Sequence, residues 1–199
     1  MYQGSTQTTL ADIQLSLESA SDRSRRATLI TLFWGLIFAK CFIVEFAVQT
    51  YGSPVNSVIY VWGLSISMAC AVTIINARGS TGNPLSMPLT SRLSQRLWIG
   101  AFIAMLIAGV GSISFGLFNT YVLPGLFATV LGFAFFVQSM LSQRRVLQAA
   151  AIGWWLVAIP LFALSDPRSL LGFGISLICL QVIPAGIIWI KAKRAAKAA

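Results

Sequence analysis

An all-α bundle of six transmembrane helices is the fold the sequence predicts, and three observations predict it. The 199 residues are 57% hydrophobic and only 10% charged, with a mean hydropathy of +0.81, values far from those of a water-soluble domain. Apolar stretches of about 20 residues, the length that crosses a hydrocarbon core roughly 30 Å thick, follow one another with short polar breaks. The basic residues then fall where six crossings put nearly all of them on one face: Arg23, Arg25, Arg26, then Arg78, Arg92, Arg96, then Arg144, Arg145, then Lys191, Lys193, Arg194 and Lys197, with Arg168 opposite. Because cytoplasmic loops carry the excess of Lys and Arg, both termini are expected inside, with the polytopic chain folded as three hairpins. Continuously apolar runs, rather than alternating ones, argue against a β-barrel.

Residues 1–26 read as a polar cytoplasmic leader. Thr9 followed three residues later by Asp12 resembles a capping box, and Leu10, Ile13, Leu17 and Ala20 recur on one face, so a short amphipathic helix is expected there. Asp12, Glu18 and Asp22 beside that stripe favour docking of residues 9–26 on protein over lipid, and they distinguish the leader from a cleaved secretory signal, so it is expected to be retained.

The spans themselves read 27–49, 55–76, 97–117, 121–141, 146–164 and 169–190 within a transmembrane domain of residues 27–190. Pro160, near the end of the fifth, predicts a kink there and not a break. The connection 77–96, rich in Gly, Ser and Pro, reads as a flexible cytoplasmic loop, and residues 191–199 as a basic cytoplasmic tail. In the third span Gly100, Ala104, Ala108, Ser112 and Gly116 recur every four residues, a small-residue seam that lets a second helix backbone come close. Pro124, Ala128 and Gly132 repeat that spacing in the fourth span, and Gly63, Ser67 and Ala71 in the second, so these three helices are expected at the centre of the bundle. A homo-oligomer interface is the other use of such a seam.

No histidine occurs in the chain. Paired-histidine haem ligation, zinc proteolysis and Ser-His hydrolysis all lack their required group. Cys41, Cys70 and Cys179 have no CxxC spacing, and no phosphate-binding glycine loop or dinucleotide fingerprint appears. Arginines in short juxtamembrane loops, without a soluble domain, do not make a nucleic-acid surface; their expected partner is the lipid bilayer. The polar residues left are Lys40 and Glu45 in FAKCFIVEF, with Asp166 in the outer connection LSDPRS just before the last span. Five residues separate Lys40 from Glu45, which turns their side chains about 140° apart on an ideal helix, so Lys40 is expected to face another helix. It then either lines a cavity as a substrate or ion contact with Glu45 at the mouth, or it snorkels outward, or it pairs with Glu45 or Asp166 and only fixes the bundle. Gln138, Gln181, Ser65, Thr73 and Thr129 could extend a polar interior, and the six tryptophans read as belt anchors or lipid-facing packing.

The leader TLADIQLSLESASDRSRR, the stretch YVLPGLFATVLGFAFF and the stretch GWWLVAIPLFAL together resemble a group of uncharacterised bacterial six-span integral membrane proteins, many encoded beside PadR-type winged-helix regulators. Phe127 stands where that group would have tryptophan. The resemblance implies the six-span architecture in a bacterial cytoplasmic (inner) membrane, and no established activity or catalytic residue. From the residues, the expectation is a non-enzymatic protein without cofactor or metal, acting through a membrane or cytoplasmic protein partner as a sensor, regulatory or assembly subunit. A small-solute or ion transporter using Lys40 and Glu45 is the alternative.

Overall fold

The computed structural model describes residues 28–52, 56–78, 89–116 and 119–198. The leader, with its expected amphipathic helix, and residues 79–88 of the long loop lie outside the described residues. Among those described, the protein is all-helical, and six helices are long and apolar enough to cross a membrane. They are α1 (Thr28–Tyr51), α2 (Asn56–Arg78), α3 (Leu89–Phe115), α4 (Leu123–Ser142), α5 (Arg145–Ala163) and a sixth span formed by α6 (Arg168–Leu177), a π-helical turn (Ile178–Val182) and α7 (Ile183–Ala198).

The helices depart from the sequence reading at α3 and in the sixth span, whose α7 runs on to Ala198 through most of the expected basic tail. Helix α3 begins at Leu89 and not at Leu97, so the end of the expected flexible loop is helical. Leu89, Leu93 and Leu97 continue the apolar stripe at i, i+4 and i+8, and Ser94 Oγ donates to Gln138 Oε1 at 2.7 Å, holding this extension to α4. The sixth span carries a π turn that hydropathy does not register. Pro184 has no N–H, and its ring would crowd the carbonyl four residues back; the wider turn, closed by Ile183 N–H to the Ile178 carbonyl, accommodates it. Helix α5 runs through Pro160, and the Leu164 N–H bonds to the Pro160 carbonyl at 3.1 Å.

The core lies among α1, α4, α5 and the sixth span. Phe42 is its hub, with its ring centroid 4.7 Å from Phe173, 5.1 Å from Trp62 and 6.5 Å from Phe127. Trp154, fully buried, packs on Phe173 at 5.5 Å. Trp154 in the core, with Trp62 and Trp98 packed against it, stands where belt or lipid-facing positions were expected. Helices α4 and α5 touch through glycine. A Cβ built on Gly132 would lie 2.5 Å from Trp155, and one on Gly125 would lie 2.8 Å from Phe162, so the small-residue repeat of α4 is an internal packing surface.

Only 11% of the α2 span and 6% of the α3 span is buried, against 39% for α4, 33% for α5 and the sixth span, and 28% for α1. The expectation that α2 and α3 share the centre with α4 is corrected by this distribution. In α3, Gly100 and Ala104 are exposed, Ala108 is half-buried and Ser112 is buried, while Gly116 lies beyond the helix in the left-handed conformation (φ +61°) that caps it. A strict four-residue repeat turns about 400° per step on a helix of 3.6 residues per turn, so it drifts by about 40° each time. Gly100 and Ser112 consequently sit about 120° apart, and no single face of a straight helix can hold the whole seam. Residues of α3 that face α4 include Ser94, bonded to Gln138, Trp98, against Phe135 at 5.2 Å, and Gly109, near Phe127.

Gly132→Ala is expected to cost about 1–3 kcal/mol through the clash with Trp155, whereas Gly63→Ala and Gly100→Ala, where nothing lies within 4 Å, should leave stability unchanged or raise it by up to about 1 kcal/mol. Thermal unfolding of the three variants in one detergent measures the contrast.

Candidate functional site

Glu45 lies in the penultimate turn of α1, where α1 meets α2. The indole N–H of Trp62 donates to its Oε2 at 2.9 Å, and Gln49, one turn on, donates from Nε2 to Oε1 at 3.2 Å. Trp62 is held for this by the edge-on contact of its ring with Phe42, so the aromatic core positions a donor on the one carboxylate that the described membrane spans carry within their helices before the last. Beside Glu45 opens a cleft of about 520 Å³ lined by Glu45, Val48, Gln49, Gly52, Val58 and the segment Asn119–Thr120–Tyr121. Its shape follows from two chain ends: Gly52 (φ +70°) stops α1, and the Asn119 side chain accepts the Tyr121 N–H at 3.0 Å, tightening the entry to α4.

Among the described residues Lys40 faces no other helix. It is exposed, on the same outward stripe of α1 as the exposed Leu29 and Leu36. The inner side of α1 is taken instead by Gly35 against Val182, Ala39 and Ile43 against Gly174, and Ile37 and Cys41 against Ala69 of α2. Asp166 is likewise committed elsewhere. Its Oδ1 accepts the Arg168 N–H at 2.8 Å and its carbonyl accepts the Ser169 N–H at 3.1 Å, which starts α6. Lys40, Glu45 and Asp166 therefore do not come together as one polar site.

The other polar residues serve separate helix contacts. Thr73 accepts the Trp34 indole N–H at 3.0 Å and donates to the Ala69 carbonyl, which ties α2 to α1. Thr129 bonds back to the Gly125 carbonyl of its own helix at 2.9 Å and faces outward. Gln181, buried on the π turn, donates to the Thr31 carbonyl of α1 at 3.1 Å, and a Cβ on Gly35 would stand 3.1 Å from its amide nitrogen. Sequence reading named Gln181 as polar but missed its setting; Pro184 was the available signal. Among the described residues no cluster of three His, Cys, Asp or Glu that could hold a metal occurs.

No family model, no curated protein and no solved structure matches this chain.

Gln181→Leu, which keeps the volume and removes the donor to Thr31, is expected to cost about 0.6 kcal/mol and at most about 1.7 kcal/mol, the average and the largest value for such interhelical bonds in membranes. Steric trapping or thermal unfolding of the reconstituted variant reads the loss, and an unchanged stability would show that the Gly35 contact alone holds α1 to the π turn.

Proposed function

We propose that the protein is a non-enzymatic, multi-pass subunit of the bacterial inner membrane that acts by assembling laterally with a partner inside the bilayer, as a sensor, regulatory or assembly component. Lys40 is the observation that carries this reading. It stands thirteenth in the 24-residue span of α1, exposed among lipid-facing leucines. A lysine at that depth costs about 2.5–3.5 kcal/mol in contact with lipid, and its four-carbon stem is too short to bring the ammonium group to either boundary. A second membrane chain supplying a carboxylate, a carbonyl or a water-filled interface at that level would remove the cost.

Independent support comes from the outward small-residue faces. Gly63, Ser67 and Ala71 of α2, and Gly100 and Ala104 of α3, are exposed, and such faces let helix backbones from different chains approach. In this reading the chain is oriented by its arginines, as three hairpins with both termini in the cytoplasm, and the leader and the 77–96 loop add contacts there.

The test measures mass in a bilayer. Full-length protein extracted with its surrounding lipid is expected to exceed the 21.5 kDa of one chain, with a photo-crosslinker at Ser67 joining it to a second chain. Lys40→Met should lower assembly at least tenfold while leaving the thermal midpoint equal or higher. A wild-type particle of single-chain mass that forms no crosslink would sink the proposal.

A further inference from the structure

The cleft beside Glu45 has a chemistry that lateral assembly does not use. We propose that it is a binding site for a small organic cation bearing an ammonium group, with Glu45 as the counter-ion. The two donors on this carboxylate, the Trp62 indole and the Gln49 amide, are both neutral, so neither supplies the positive charge that an ionised Glu45 calls for. No basic side chain lines the cleft among the described residues. The nearest lysine in sequence, Lys40, is turned about 140° around the helix and faces outward. A carboxylate in a membrane span without a cationic partner marks a site for one.

Three further features select the class of ligand. Helix α1 ends at Tyr51 beside the cleft, and the unpaired carbonyls of a helix C-terminus carry partial negative charge that adds to that of Glu45. The walls are mixed: Gln49 and Thr120 offer polar oxygens, Val48 and Val58 offer apolar surface, and Tyr121 brings an aromatic ring, a combination suited to an alkylated ammonium group. The volume, about 520 Å³, lies in the range of sites for small molecules and is far larger than a bare inorganic ion would require.

Choline chloride is the probe and 3,3-dimethylbutan-1-ol, its uncharged isostere, the control, both added at constant ionic strength to the full chain in lipid nanodiscs. Tryptophan emission is the signal, because Trp62 bonds directly to Glu45. A saturable change is expected with choline, at least tenfold weaker with the isostere. Glu45→Gln should reduce the apparent affinity for choline at least tenfold. Gln49→Lys provides a test that does not depend on the folding of that variant: position 49 is exposed, and a lysine one turn after Glu45 places a tethered ammonium group in the cleft. It should abolish the response and raise the thermal midpoint. The proposal is overturned if choline gives no saturable change, if choline and the isostere respond alike, or if folded Gln49→Lys protein keeps the wild-type affinity. Oligomer mass is measured separately, so this outcome and that for Lys40→Met are independent.

Discussion

The close approach of α4 and α5 at Gly125 and Gly132 is the constraint on which the bundle depends. Lipid is as apolar as a leucine side chain, so burying one more leucine between helices contributes little that the bilayer does not already supply. What lipid cannot supply is dense, shaped contact. Trp155 lying over Gly132 and Phe162 over Gly125 provide it, and the neighbouring contacts of Gly35 with Val182 and Gly174 with Ile43 repeat the device where the sixth span meets α1. Around these points the large rings of Phe42, Phe173 and Trp154 interlock. Helices α2 and α3 lack comparable contacts along most of their length, and they are accordingly peripheral.

The same distribution ties the core to the polar features. Trp62 has two roles: its ring packs edge-on against Phe42, and its indole N–H reaches Glu45. A carboxylate in this position is thus oriented by the hydrophobic core and not by another charge. Gln181 shows the converse case, in which a backbone irregularity sets a polar contact. The π turn ahead of Pro184 turns the amide toward the Thr31 carbonyl, and the absence of a side chain on Gly35 leaves room for it. Lys40 has neither kind of support among the described residues and is exposed.

Several of these relations were legible in the residues. The six apolar runs correspond to six helices because length and hydropathy are local properties, and the helical offset between Lys40 and Glu45 follows from their spacing alone. The small-residue repeat of α4 packs inside the chain, whereas the same spacing in α2 and α3 lies mostly on exposed faces. A repeat states that a close neighbour is permitted; it does not state that one is present. In α3 the four-residue period also drifts around the helix, so Gly100 and Ser112 cannot serve one interface, and Gly116 serves the backbone as a cap. The tryptophans illustrate the same limit, since the indole of an interfacial anchor and that of the buried Trp154 are indistinguishable in a hydropathy profile.

By itself the sequence determined that this chain belongs in a bilayer, how many helices it places there and which side chains are too polar to be indifferent to lipid. These follow from the free energy of moving each residue out of water, a quantity that adds along the chain. Tertiary structure alone decided which helices are central, that Glu45 is held by Trp62 beside an open cleft, that Asp166 caps α6 and that Lys40 faces outward. Those outcomes depend on rotation about each helix axis and on which glycine meets which ring, and such pairings join residues as far apart as Thr31 and Gln181, whose separation along the chain carries no record of their contact.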